Sequence, residues 1–542
     1  MDLLKSDILT LLLLLPLIGS VLVLFVRGLD AIRWTAVAAA AVTFALSLLL
    51  PVLYESAGDG SDGVHVAAAV YRTGVPGGVV QLVERSSWIP SIGAQYFVGI
   101  DGLSLPLVVM TAGIFLLATI ASWKIEKLQR AYFSLLLALE TALLGVFVSL
   151  DLLLLFVFFE LALVPMFFLI GVWGGPRREP AAIKFFIYTL VGSVALLIAI
   201  IGIYLISRDP ATGHGTFDLL ALTGPALQAR LAQHAGGMSG PLARTLFLLL
   251  LFGFLVKVPS FPLHTWLPEA HVEAPTPVSM ILAALMLKMG GYGLMRVAYP
   301  LFPAAAQMLW ALPATLAVIS ILYGALCAMG QSDFKRLVAY SSVSHMGFVV
   351  LGIALMTRLS MSGALFMMIA HGVTSASLFF IVGVVYDRTH HRELSRLGGL
   401  LDVMPVYSGL AAIGILASLG LPGLCNFVGE AMVLFGAFGA AAGAGGTLVH
   451  AGASPLAIQT LAVLATLGIV ITAAYMIWTL QRVFFGPGRQ EHLHLPEIDT
   501  RERLVLVPLT VATVALGVLP NLLVLSGSGP SVAALLRLLG GA

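Results

Sequence analysis

Apolar stretches long enough to cross a bilayer recur along this chain from Ile8 to Leu525, divided by short polar connections that carry most of its charge. A transmembrane helix needs roughly 20 apolar residues, because each residue advances it ~1.5 Å through a hydrocarbon layer ~30 Å thick. Laid along the sequence, that template places spans near residues 8–26, 32–53, 101–122, 132–150, 152–171, 181–206, 243–262, 276–298, 304–329, 334–356, 360–385, 405–441, 456–484 and 503–525. The pattern predicts an all-α membrane protein of about 14 transmembrane helices. Two spans interrupt it. The seventh runs into Pro259, Pro262 and Pro268, and the overlong twelfth holds Gly420, Pro422 and Gly423 at its middle. Proline removes a backbone donor and clashes with the preceding turn, so both read as broken helices. They lie five spans apart, and an odd-numbered unit enters the membrane from opposite sides in successive copies. Spans 4–8 and 9–13 are therefore expected to be two inverted five-helix repeats with broken helices 7 and 12. One polytopic domain, 1–542, then divides into N-terminal spans (1–125), a first repeat (126–300), a second repeat (301–485) and a C-terminal span (486–542). Phe217 to Ala235 is too polar to span, and is expected as an amphipathic helix on the outer face.

Composition agrees and excludes. Hydrophobic residues fill 59% of the 542 positions and charged residues 10%, with mean hydropathy +1.03. Soluble domains carry about 25% charged residues, so a water-soluble enzyme is ruled out. The run Leu11 to Val26 follows Lys5 as a signal peptide would. It lacks a small-residue cleavage site and another apolar run follows directly, so it reads as an uncleaved first span. Lys and Arg are more numerous in the connections on one side, which puts both termini outside. In a bacterium that is the inner (plasma) membrane, with the lipid bilayer and no nucleic acid as partner. Arg388 to Glu393 reads as a solvated inner loop, and Asp333, Lys335 and Arg336 as a cluster that docks or caps helices. Cys327 and Cys425 are far apart, which suits neither an iron–sulfur cluster nor a disulfide scaffold. His264, Glu269, His271 and Glu273 lie close together without the helix spacing of a zinc motif, and read as part of the broken helix and its return loop. No cofactor or metal is expected in this chain.

The remaining chemistry is inside the spans. A charge at the bilayer centre costs about 2.5–3.5 kcal/mol, so charges kept there need partners or a hydrated path. Of 28 Lys and Arg, all but Lys184, Lys257 and Lys288 belong to connections or span edges. Glu140, Glu160 and Glu430 are the acidic counterparts in spans 4, 5 and 12. Lys257 precedes Pro259 by two residues, where a broken helix frees carbonyls and admits water. A desolvated lysine releases its proton more readily and a nearby carboxylate reverses that, so a Glu–Lys pair that opens and closes switches a proton on and off the amine. Glu160 is the carboxylate for that pair, the competing reading being an ion pair that only fixes packing. Lys288 precedes glycines that permit close helix approach and could take the proton next. His345 and His371, embedded in adjacent apolar spans, can hold or release a proton near neutral pH. Glu430, after the second break, suits an exit. Lys184 sits near the start of its span, where its stem can equally snorkel to the inner surface. Glu140 and Asp151 receive no role from the sequence.

At these residues the chain resembles the antiporter-like subunits of respiratory complex I, the proton-pumping NADH:quinone oxidoreductase, and among them the M type, subunit 4 of mitochondria. The motifs are FFELALVPMFFLIGVWG (Phe158 to Gly174), VKVPSFPLHTWLPEAHVEAPTPVSMILAALMLKMGGYGLMR (Val256 to Arg296), SDFKRLVAYSSVSHMG (Ser332 to Gly347) and GLPGLCNFVGE (Gly420 to Glu430). The resemblance covers roughly residues 95 to 490, with a departure at ThrProVal, 276–278. It implies that Glu160 modulates the channel lysine Lys257, that Lys288, His345 and His371 form a central axis, and that Glu430 is the exit. It further implies L-type and N-type antiporter-like chains as membrane partners, with NADH and quinone handled elsewhere in the complex. The alternatives are a subunit of a multisubunit cation/proton antiporter or membrane-bound hydrogenase, and a structural subunit that has lost transport.

Overall fold

The computed structural model describes residues 7–54, 80–209, 213–224, 229–230, 237, 240–443, 447–486, 488 and 490–540. Its helices, in chain order, are α1 (Ile8–Phe25), α2 (Leu29–Leu53), α3 (Leu105–Lys124), α4 (Gln129–Val148), α5 (Leu152–Trp173), α6 (Arg178–Ile206), α7 (Pro241–Lys257), α8 (Trp266–Glu273) and α9 (Thr276–Leu301). There follow α10 (Ala311–Met329), α11 (Phe334–Ala354), α12 (Arg358–Thr389), α13 (Pro405–Leu419), α14 (Cys425–Ala441), α15 (Pro455–Phe485), α16 (Thr500–Val518) and α17 (Ser526–Leu538). Eleven of these, all but α7, α8, α13, α14, α16 and α17, are helices of at least 18 residues apolar enough to cross a membrane. This is a multi-pass helical membrane protein.

The helices are buried unequally, and the inequality locates the core. The apolar windows of α9 and α12 are wholly buried and that of α11 is 94% buried, against 28% for α2 and 33% for α15. Exposed Leu, Ile and Val side chains on α1, α6 and α15 suit lipid or neighbouring apolar helices. The enclosed helices are the ones that carry Lys288, His345 and His371.

Both proline- and glycine-rich interruptions are real gaps in the helical hydrogen bonding. α7 stops at Lys257, and α8 begins at Trp266. The backbone groups freed between them find partners: Val256 O accepts from the Trp266 indole at 3.0 Å, and Phe261 N donates to Ser320 Oγ on α10 at 2.8 Å. Such compensation is what permits irregular backbone at membrane depth. The second gap, between α13 and α14, turns on Gly420 and Gly423, whose φ of +85° and +92° only glycine adopts without strain.

Three features depart from the sequence expectations, and one expectation is seen only in part. An antiparallel hairpin, β1 (Gln81–Ile89) and β2 (Ala94–Ile100), occupies the connection before α3. Its Glu84 accepts from Leu9 N at 2.7 Å, from Thr10 N at 3.0 Å and from the Thr10 hydroxyl, and so caps the first turn of α1 from 74 residues away in sequence. Burial raises the Glu84 carboxyl above its ordinary value, the hydrogen bonds pulling the other way. Glu84→Ala strips that cap, and the detergent-solubilised protein is expected to lose about 1–2 kcal/mol of stability, read as a lower melting midpoint. The Phe217 to Ala235 segment shows one turn of helix, Leu219–Leu222, capped by Asp218, while 225–228 and 231–235 lie outside the described residues. The inner run from Arg388 is not simply solvated: Arg388 grips the fully buried Glu502 of α16 through two bonds of 2.9 and 2.7 Å, and Arg392 holds Asp333 at 3.1 Å. Finally α16 ends at Val518 and a further helix, α17, follows, its Ser531 accepting from Gly102 N after β2.

Candidate functional site

The intramembrane groups fall into a central chain and a flank. Lys288 is fully buried on α9, directly after a π-helical turn, Leu282–Met286. Its ammonium donates to Ala283 O and meets His371 Nδ1, each at 2.7 Å. An ammonium has no acceptor, so while Lys288 is charged His371 must accept through Nδ1 and keep its own proton on Nε2. The His371 and His345 rings stand 5.5 Å apart, centroid to centroid, at 48°. His345 then places Nδ1 3.2 Å from Glu430 Oε1, with Nε2 3.1 Å from Ser418 Oγ. The Nδ1 contact is at ion-pair distance, but the ring is not turned to make a hydrogen bond there. A hydrogen bond there needs a small rotation of the imidazole. Ser418 lies two residues before Gly420, and Glu430 lies on α14, so this end of the chain is assembled at the second gap.

Gly420 matters here for space as well as turn. A Cβ at that position would lie 2.6 Å from Glu430 Oε2. Only glycine lets the carboxylate fold back over the break.

The flank is built at the first gap. Lys257, 1% exposed, ends α7 with its Nζ 4.9 Å from the Phe159 ring centroid and 5.9 Å from that of Phe185. Among the described residues it has no hydrogen-bond partner, and the acidic residue of this neighbourhood is Glu160, which follows Phe159 on α5. Two aromatic faces thus stabilise the cation while its carboxylate stands off, an arrangement that a modest movement of α5 against α7 would alter. Lys184 lies elsewhere: its ammonium is bound by Glu269 Oε1 of α8 at 2.7 Å, and the two side chains are 31% and 42% exposed. Glu269 was not recognisable from sequence as that partner, nor Ser418 as the partner of His345. Neither residue type is rare enough in its context to signal.

The other residues separate clearly. Glu140 is fully enclosed on α4, and among the described residues neither carboxyl oxygen has a hydrogen-bond partner. Asp151 caps α5 through Leu153 N and Leu154 N, each at 3.0 Å, and ties it to the hairpin through Gln95 N at 3.1 Å. His271 stacks on Phe379 at 4.3 Å, Glu273 accepts from Arg177 N at 2.9 Å, and Glu269 is taken by Lys184. No three His, Cys, Asp or Glu side chains among the described residues converge as metal ligands would.

A chain of titratable side chains within an enclosed helical core defines a class of membrane protein that moves small cations, protons first among them. Sequence comparison makes this specific. A family profile described as NADH:quinone oxidoreductase/Mrp antiporter, transmembrane, matches residues 149–454, and one described as NADH-ubiquinone oxidoreductase chain 4, amino terminus, matches residues 79–146. The chain belongs to the NADH:quinone oxidoreductase/Mrp antiporter family of membrane subunits. It is 38% identical to NADH-quinone oxidoreductase subunit M of Rhodobacter capsulatus over 93% of this chain and 90% of that one. A chain of respiratory complex I from Thermus thermophilus, solved with bound NADH, superposes with a TM-score of 0.81 at 32% identity, covering 98% of this chain and 100% of that one. A chain of the Mrp complex from Dietzia sp. superposes at 0.76 with 25% identity, covering 98% of this chain but 52% of that one.

Proposed function

We propose that this chain is the M-type, proton-translocating subunit of a bacterial NADH:quinone oxidoreductase, seated in the inner membrane with L-type and N-type antiporter-like chains as partners. It carries no redox step itself. Electron transfer elsewhere in the complex supplies the energy, and the membrane chain converts it into proton movement. The observation that carries this reading is the continuity of Lys288, His371, His345 and Glu430, each within reach of the next across the three most enclosed helices and α14. Lys257 and Glu160 load that chain from the first gap: separation of the pair favours release from the desolvated amine, and approach favours its recharging. Lys184, bound to Glu269 at the edge of the bundle, tunes the field at this entrance. The same reading takes the fold as about 14 spans in two inverted five-helix units, 126–300 and 301–485, with α7–α8 and α13–α14 as the broken members. The two gaps, each dividing a pair of helices too short to be counted among the long spans and each near a titratable side chain, support it.

Lys257→Ala in the assembled complex is expected to lower proton translocation per NADH oxidised by about tenfold, with assembly intact. Unchanged pumping in reconstituted vesicles removes Lys257 from the route. The second reading, a subunit of a multisubunit cation/proton antiporter or membrane-bound hydrogenase, draws on the likeness to the Mrp chain, of which this one spans about half. Purification of the native assembly decides between them, since NADH-oxidising subunits accompany the chain only in the first.

A further inference from the structure

Lys288 lies at the head of a second polar line that the proposed route does not use. Tyr292 and Arg296 follow it at intervals of four on the same helix, so the three stand one above another, about 6 Å apart per step. Arg296 Nε donates to Tyr292 Oη at 3.1 Å, with its guanidinium carbon 5.4 Å from the ring centroid. Arg296 Nη2 donates to Asp101 Oδ1 at 2.5 Å, the two side chains being 12% and 7% exposed. Asp101 opens the segment between β2 and α3, on the hairpin face that the loop charges place outside. This ladder runs from Lys288 toward the outer surface, a second direction in which a proton could leave.

Its chemistry forbids that use. A relay group must both accept and release a proton. The Tyr292 hydroxyl donates to Phe147 O at 3.0 Å, a carbonyl with no proton to pass on. Its oxygen is occupied by Arg296 Nε–H, and a guanidinium does not give up a proton in a protein. Asp101 Oδ1, already bound by Leu103 N and Ser104 N at 3.0 Å each, holds the cation in place. A fixed arginine beside a path also repels an approaching proton, as it does in water-selective pores.

We infer that Arg296, anchored by Asp101 and Tyr292, is an electrostatic plug that seals the outer side of Lys288 and forces protons sideways through His371 and His345. Arg296 is a positioning residue for transport and touches no transported proton. The inference rests on the Lys288 route proposed above, and its test separates the two. Complexes carrying Arg296→Gln are reconstituted in vesicles, and passive proton entry after an acid jump is followed with an entrapped pH dye, without NADH. Entry is expected to rise roughly tenfold, the charge barrier being lost, while NADH:quinone electron transfer persists and protons moved per NADH fall. Adding Lys288→Met to Arg296→Gln is expected to restore tightness, which repair of a merely structural defect would not do. Asp101→Asn keeps the guanidinium and removes its counter-charge, so its vesicles are expected to stay at least as tight as those of the unsubstituted complex; a leak from Asp101→Asn as large as that from Arg296→Gln overturns a charge barrier. Arg296→Gln vesicles as tight as the unsubstituted complex overturn the plug, and so does a leak that survives Lys288→Met. Failure of the route itself shows separately, as normal pumping by Lys288→Met alone.

Discussion

Lys288→Met is expected to lower proton translocation by more than about tenfold, equivalent to at least ~1.4 kcal/mol on the limiting transfer, while the complex assembles normally. Lys288 is fully buried on a helix whose apolar window is wholly enclosed, so nothing in solvent replaces its ammonium. Methionine has nearly the same length and no charge, and it fills the space without opening a cavity. Removing a desolvated ammonium should not destabilise the fold, since burial of a charge is itself costly. What disappears is the one donor at hydrogen-bond distance from His371 Nδ1, 2.7 Å away. Among the described residues His371 Nε2 has no hydrogen-bond partner, so no second hydrogen-bonded group stands in for Lys288 at this ring. The measurement is protons moved per NADH in reconstituted vesicles, with assembly followed by native electrophoresis. Pumping within a factor of about two of the unsubstituted complex, with assembly unchanged, contradicts a limiting barrier of this size.

The sequence made some of this legible for a definite reason. Charges are rare in apolar runs, so Lys257, Lys288, Glu160 and Glu430 stood out, and prolines and glycines marked the two gaps by chemistry that no other residue shares. His345 and His371 could be read only as buried titratable groups. Their 5.5 Å approach depends on how α11 packs on α12, and helical periodicity does not encode which faces of two helices meet. For Lys184 the sequence allows both snorkelling and transport, because its partner Glu269 comes from another helix 85 residues on. Arg296 read as an ordinary charge at a span edge. Only the fold brings Asp101 to it from 195 residues away and turns a loop charge into a buried pair. The hairpin escaped for a related reason: its strands are short, and its anchoring residue, Glu84, looks like any polar loop position until Leu9 and Thr10 are placed against it.

Glu430→Gln is expected to reduce pumping to about a tenth or less, the second of the largest effects, by removing the carboxylate that stands at ion-pair distance from His345. The substitution keeps the size of the side chain, its oxygen near His345 and its fold over Gly420, so the second gap should retain its shape. It cannot take a proton from the imidazole and release it again, which is the step proposed for this position. Glu430→Asp separates chemistry from reach. The carboxyl survives but retreats by one methylene, about 1.5 Å, and the 3.2 Å contact to His345 lengthens beyond direct transfer. Partial pumping is therefore expected from Asp and almost none from Gln, a ranking that loss of packing alone would not produce. Equal and nearly full pumping by both variants moves the exit away from Glu430. In that event the histidines must discharge elsewhere, and Ser418, bonded to His345 Nε2, marks where the search would resume.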